Sequence, residues 1–423
     1  MRRIVFVLLI GLIIGGGSLP AIAHQAPYTA AQTAQTSDLV NANNQFAFDL
    51  YAALGEGDDN LIFSPYSISM ALAMVYAGAE GDTAAQMADT LHFEEVGDKL
   101  DADFVDLQTS LNTEVEAPEG LHPSELNIVN GLWNHIGFPF SQDYIDLLQN
   151  MYQAGVTPVD FERDAEVARE LINDWISENT NERIENMLAP GSISTDTRLV
   201  LVNAIFFKGT WLAEFDPNST ADGPFTLLDG STVTAPMMHQ MSQSHGYFTG
   251  DNYQVVDLQF QDGFTEDAPF EMGMMFILPD EGAFEDVEAS LDAEWFDEAR
   301  DELTPTPLDL VMPKFSHESN FDLIETMQSL GMTDAFSAEL ADLSSMMEDG
   351  SRSLFISLLL HRANIDVDEI GTEAAAATVV GVGVTSIPPA GLEVTFDRPF
   401  IYAIYDRVSG SILFMGRVLN PES

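Results

Sequence analysis

Asp366-Val-Asp368, followed by Gly371, carries carboxylates at the spacing that opens a calcium loop, and His361 just before it could serve as a base. The calcium reading fails on the ligands that should follow. No third acid arrives, and Ala377 stands where the terminal glutamate belongs. A nucleophile elbow, Gly-x-Ser-x-Gly, is absent, and so is a His-Glu-x-x-His zinc motif. Eight histidines could in principle join a serine and an acid in space, but nothing in the spacing points to such a group. With no cysteine there is no thiol nucleophile, disulfide or lipid-modified thiol. Neither catalysis nor a metal or other cofactor is expected, and His361 reads as a structural histidine.

The same stretch is informative in another way. From Asp366 to Pro389 the chain follows one strand-like run and precedes others, yet its own pattern fits no settled element. Four alanines favour helix, while Thr378, Val379, Val380, Val382 and Val384 favour strand. Gly371, Gly381 and Gly383 keep the backbone permissive until Pro388-Pro389 ends the segment stiffly. With period two, one face carries Thr372, Ala374, Ala376, Thr378, Val380, Val382 and Val384; the other carries Glu373, Ala375, Ala377, Val379, Gly381, Gly383 and Thr385. These are the faces of a strand fit for burial, placed where a loop should be. From composition alone, a low-complexity Ala/Gly/Val linker stands as an equal reading.

The wording separates the two. Asp368-Glu-Ile-Gly-Thr-Glu-Ala-Ala-Ala-Ala-Thr378 resembles the hinge of the reactive-centre loop in serpins, the serine protease inhibitor superfamily. Asn60 to Thr83 resembles the family's second-helix signature. Further matches are Leu201-Val-Asn-Ala-Ile-Phe-Phe-Lys-Gly-Thr-Trp211, Leu278-Pro-Asp280, Met312-Pro-Lys-Phe315, Leu330-Gly-Met-Thr-Asp-Ala-Phe336 and Asp397-Arg-Pro-Phe-Ile401. They fall in the family's order over almost the whole chain, which resembles a secreted, prokaryotic-type serpin with an inhibitory hinge.

The resemblance implies an α+β fold: a single serpin domain with a large, mostly antiparallel central sheet, further sheets, surrounding helices and an exposed reactive-centre loop at about residues 369–392. It implies a suicide substrate. A serine protease attacks the loop, and the cut loop inserts into the central sheet with the enzyme attached. Residues 371–385 would span roughly 50 Å as a strand. Aligning the hinge (Glu369, Gly371, Thr372, Glu373, Ala374, Ala375, Ala376, Ala377 and Thr378) places the reactive bond at Thr385-Ser386. Ala390-Gly-Leu392 looks like an insertion before the strand Glu393-Val-Thr-Phe396, which keeps Val384-Thr385 as the alternative. Either bond suits an elastase-like or subtilisin-like pocket; a trypsin-like enzyme wants Arg or Lys, and none lies between Arg362 and Arg398.

By the same resemblance Ser64, Ser67, Asn203 and His361 form the shutter that controls how the sheet parts. Trp211, Lys314 and Glu369 meet at the breach on top, with Lys314 and Glu369 as an exposed ion pair. Thr372 is expected at the sheet edge before insertion, where a longer side chain stays in solvent. The alternative function is a non-inhibitory serpin: a carrier, chaperone or storage protein. Heparin binding, which some serpins carry out through basic residues, is not expected, since Phe93 to Glu119 offers only Lys99.

Among the elements that carry these residues, Leu39 to Leu54 is helical by spacing, and Ser64-Pro65 caps and opens another helix. Asp82 to Leu91 reads as a short helix. Asp164 to Asn179 reads as an amphipathic one with Val167, Leu171, Trp175 and Ile176 on its stripe. Strand-like runs cover Leu126 to Trp133, Arg198 to Lys208, Val255 to Phe260, Met272 to Leu278, Leu308 to Phe315, Leu354 to Asp368, Leu392 to Phe396 and Ile412 to Val418. Met237, Met238, Met241, Met272, Met274 and Met275 read as core and surface packing.

In a chain of 423 residues, length alone would suggest two or three domains, but no linker divides it. Residues 1–23 read as a secretory signal: Arg2-Arg3, an apolar run from Ile4 to Ile14, then Ala21-Ile-Ala23 before His24. Residues 24–37 read as a mobile lead-in, and 38–423 as the serpin domain. A protein secreted by this route is extracellular. The formal charge of -53, from 68 acidic against 15 basic residues of which only three are lysine, repels nucleic acid and anionic membranes. Adaptation to high salt is the favoured reading of this acidity; a solubility bias of a secreted protein is the other. A monomer whose partner is a serine protease is expected.

Overall fold

The computed structural model describes residues 37–55, 57–111, 124–152, 154–180, 182–261, 271–372 and 391–423. The signal segment, the lead-in up to residue 36, the hinge residues Glu373 to Thr378 and the bond Thr385-Ser386 lie outside them. The described chain forms nine α-helices: α1 (Asp38–Leu54), α2 (Pro65–Tyr76), α3 (Gly81–Thr90), α4 (Leu100–Leu111), α5 (Gln142–Met151), α6 (Ala165–Asn179), α7 (Phe284–Glu288), α8 (Ala293–Glu302) and α9 (Ile324–Ser329). The first starts where Ser37 accepts the Val40 N–H. The second starts where Ser64 accepts the Ser67 N–H ahead of Pro65, so both begin on a side-chain cap.

Fifteen strands build two sheets. Six form the first: β2 (Glu125–His135), β3 (Val156–Val159), β4 (Leu199–Thr210), β10 (Phe315–Asp322), β11 (Ile356–Val367) and β12 (Gly371–Thr372), in the order β10-β11-β12-β4-β2-β3. The second contains β1 (Leu61–Phe63), β5 (Ala221–Thr226), β6 (Thr232–Gly250), β7 (Tyr253–Gln259), β8 (Met272–Pro279), β9 (Thr304–Pro313), β13 (Leu392–Thr395), β14 (Phe400–Asp406) and β15 (Ile412–Val418). Its order is β1-β15-β14-β8-β7-β6-β9-β13, with β5 paired to β6.

The six-stranded sheet is apolar on both faces, so β4 reads as a nearly unbroken hydrophobic run. Its Leu199, Leu201, Ile205 and Phe207 join the main core, which also holds α2. Val200, Val202 and Ala204 face a smaller core made with α6. Here the chain departs from the expected stripe on α6. Ala168, Ile172 and Ile176 lie against the sheet, whereas Val167 and Leu171 are 59 % and 45 % exposed. The helix carries two apolar rows, and only packing decides which one faces inward. The run Leu308 to Phe315 also differs from the single strand expected: β9 ends at Pro313 and β10 begins at Phe315 in the other sheet. Lys314 sits at the break, its N–H donating to Pro236 O (2.9 Å).

Candidate functional site

The two expected clusters and the start of the loop segment lie along one seam, between β4 and β11. These strands pair in parallel from Ile356↔Leu199 up to Ala363↔Ile205, where their ladder ends. Higher up, β12 stands between them: Thr372 pairs with Gly209 on one side and with Val367 on the other. The sheet is therefore closed below, parted over the stretch of Phe206 to Lys208 and Asn364 to Asp366, and stoppered at its mouth by two residues. Asn364 Oδ1 in this parted stretch is buried without a hydrogen-bond partner.

The stopper is built by local chemistry. Asp368 Oδ1 accepts the N–H groups of Ile370 (2.8 Å) and Gly371 (3.2 Å), which folds the chain back on β11. The Asp368 carboxylate thus caps a turn. A Cβ on Gly371 would lie 1.9 Å from Gly209 O, so glycine is the residue that lets the backbone close in. Thr372 is 1 % exposed, and its Oγ1 accepts the Gly209 N–H at 2.8 Å. This corrects the expectation that Thr372 waits at an edge open to solvent. Its backbone already has strand partners on both sides, which an unpaired edge residue would lack.

At the breach, Lys314 Nζ and Glu369 Oε2 are 2.6 Å apart, and Thr220 donates to Glu369 Oε1 (2.7 Å). Burial raises the Glu369 carboxyl; the hydrogen bonds from Lys314 and Thr220 outweigh it and hold the group below its ordinary value. Trp211 lies beside them, its Nε1 donating to Asp368 O (3.0 Å) and its N–H to Ile370 O (2.7 Å). The pair is less exposed than expected, with Glu369 only 7 % accessible. Lys314→Ala is accordingly expected to cost about 1–2 kcal/mol at neutral pH, a charged hydrogen bond discounted for the partly open lysine. Because the Glu369 carboxyl is depressed when folded, this contribution is present at pH 7 and fades as acid protonates it. Denaturant melts of both forms at pH 7 and pH 3.5 measure the difference; equal stabilities at pH 7 would rule it out.

In the shutter, the Ser64 N–H donates to His361 Nε2 (3.0 Å), which leaves the proton on Nδ1, facing Asn203 Oδ1 (2.5 Å). Asn203 Nδ2 in turn donates to Ser67 O (3.0 Å) and Ser67 Oγ, and to Asn130 Oδ1 (2.5 Å). The four expected residues meet, and Asn130 on β2 is the member that sequence reading missed. Along β2 it is one asparagine of three, with Asn127 and Asn134, and only the pairing directly opposite Asn203 in the folded sheet singles it out. Burial pushes His361 down to about 3, and His245 and His317 down to about 4. All three are neutral when folded, while the unfolded chain takes up protons below about pH 6.5. Their depressed values make stability full above that pH and lost below it, by ~1.4 kcal/mol per pH unit for each histidine. Denaturant melts from pH 7 to 5.5 should show this decline, and a flat profile would contradict it.

A strap crosses the parted seam. After α6, the Arg183 guanidinium lies 3.9 Å from the ring centre of Phe206 on β4, and Arg362 on β11 donates to Glu185 O (2.9 Å). Arg169 and Asn173 of α6 both donate to Leu188 O (3.0 Å each), tying the strap to the helix. Anything entering the seam must displace these contacts. Sequence reading marked α6 as an amphipathic helix and missed the strap, whose residues carry no periodic signal.

Comparison with known proteins agrees with this geometry. The profile of the serpin (serine protease inhibitor) family matches residues 41–421. An uncharacterised serpin-like protein of Thermococcus kodakarensis is 36 % identical, with all of both chains covered. Leukocyte elastase inhibitor A of Rattus norvegicus is also 36 % identical, over 90 % of this chain and 99 % of its own. Among solved structures, thyroxine-binding globulin in complex with thyroxine superimposes with a TM-score of 0.78 at 30 % identity, covering 91 % of this chain and all of the other. Uncleaved ovalbumin gives 0.78 at 26 % identity, with the same coverage. With a family match over nearly its whole length and full-length relatives, this chain belongs to the serpins, the serine protease inhibitor family.

Proposed function

We propose that this chain is a secreted inhibitor that traps an elastase-like or subtilisin-like serine protease as a suicide substrate. The observation that carries the reading is the stopper. Gly371 and Thr372, the first residues of the loop segment, already occupy strand positions above a parted seam, so the residues after them have a track to follow. In the reaction, the protease serine oxygen attacks the Thr385 carbonyl carbon and the C–N bond to Ser386 breaks. The Ser386 amine leaves with a proton, and an ester joins the loop to the enzyme. Insertion then adds ladder hydrogen bonds behind Thr372 and buries the Ala374-Ala376-Thr378 face, which competes with hydrolysis of that ester. No catalytic group is needed in the inhibitor itself.

The likeness to thyroxine-binding globulin, crystallised with thyroxine, keeps a carrier role as the second reading. Incubation with pancreatic elastase and subtilisin, followed by denaturing electrophoresis, separates them. A band of the summed mass that survives denaturant is expected with at least one enzyme. Cleavage with no such band would favour the carrier reading.

A further inference from the structure

Among the six methionines singled out from the sequence, five are buried and one is not. Met241 is 75 % exposed, the highest value for a large hydrophobic side chain in the described structure. A built feature presents it. The pairing of β6 with β9 slips between Gln240↔Leu310 and Gln243↔Leu308, so Met241 and Ser242 bulge out opposite Asp309. Ser242 takes a left-handed φ of 51° there, a conformation uncommon for residues other than glycine. The bulge is pinned on both flanks. Asp309 Oδ1 accepts from Ser242 N (2.8 Å) and Oγ (3.3 Å), and the buried Gln240 donates to Ala213 O (2.6 Å). Bulges that re-aim a side chain recur beside functional sites.

The bulge stands where the loop segment re-enters the fold. Asp309 is in register with Glu393 on β13, and a Cβ on Gly391 would lie 3.0 Å from Asp309 Oδ1. Leu392, next in the chain, is itself 46 % exposed, and Glu393 is exposed too. Only residues 386–390 separate the proposed bond from Gly391, a tether of roughly 20 Å at full extension. A serine protease of about 250 residues has a radius of gyration of about 18 Å. An enzyme held at that bond therefore lies within reach of the surface at the tether's foot.

We propose that Met241, with Leu392 and the carboxylate of Glu393, is a second docking contact for the attacking protease, fitting an enzyme whose surface beside its cleft is apolar with a basic rim. Asp309 and Gln240 are positioning residues that hold the bulge. This rests on the inhibitor reading for its partner, yet it is tested apart from trapping. The rate to follow is loss of intact chain to pancreatic elastase or subtilisin, whichever cuts the wild type faster, because it counts every cleavage whether or not the enzyme stays attached. Met241→Ala should be cut about five- to tenfold more slowly, with its melting temperature unchanged. Leu340→Ala removes another exposed apolar side chain, 55 % accessible and outside both sheets, and should match the wild type. If cleavage occurs but no complex forms, the inhibitor reading fails, and a slowed Met241→Ala still supports the contact. Equal rates for Met241→Ala and wild type, or equal slowing by Leu340→Ala, would overturn it.

Discussion

Thr372→Arg is expected to turn this chain from a trap into a substrate, with released enzyme outnumbering trapped enzyme by more than about a hundredfold. Thr372 lies 1 % exposed between β4 and β11, its hydroxyl bonded to the Gly209 N–H. A guanidinium in that place brings a charge and five donors to a site that holds one hydroxyl, at a cost of several kcal/mol unless it escapes to water. Two results follow. Before cleavage the stopper is driven out of the sheet, so the melting temperature falls. After cleavage, insertion stalls at its first step, while hydrolysis of the acyl-enzyme by the protease continues at its own rate. Titrating enzyme with inhibitor gives the ratio of released to trapped, and electrophoresis shows the cleaved product. Glu373→Arg is the control, since strand alternation would turn that side chain to the opposite face on insertion. Equal trapping by Thr372→Arg and wild type would mean that the loop does not enter between these strands.

The second large effect is on specificity. Thr385→Arg should raise the rate with trypsin by about 10²–10³-fold, because a desolvated ion pair in the enzyme's pocket is worth ~2–5 kcal/mol. The wild-type segment from Ala363 to Asp397 contains no Arg or Lys, so trypsin starts from a low rate. Elastase should lose rate on the same change, since a small apolar pocket rejects the charge. Mass spectrometry of the wild-type chain cut by elastase locates the bond: a C-terminal fragment beginning at Ser386 supports the assignment. A fragment beginning at Thr385 moves it to the alternative bond, and one several residues away removes the basis for the variant.

Much of this architecture was legible because it depends on local chemistry. Ser64 caps a helix through its own hydroxyl ahead of Pro65, and β15 coincides with the run Ile412 to Val418, whereas Ser37, read as part of the lead-in, proves to cap α1. The motif matches named the breach and shutter residues, and the structure brings each group together. Less legible were the strands β5, β6 and β14 and the helices α4, α5, α7, α8 and α9. A 19-residue strand such as β6 mixes polar and apolar positions as it passes from one set of neighbours to the next, and no single period describes it.

What the sequence determined by itself was the set of residues able to play each part: an insertable face of period two, a hinge of small side chains, and polar residues within apolar strands. What tertiary structure decided was their state. Whether Val167 or Ile172 faces the sheet, whether Met241 is core or surface, and whether Thr372 waits outside or already stoppers the seam depend on partners far away in the chain. Gly209, 163 residues from Thr372, supplies the hydrogen bond that settles the last of these. Side-chain type sets what a residue can bury or bond, whereas burial itself is a property of the neighbours that the whole fold brings to it.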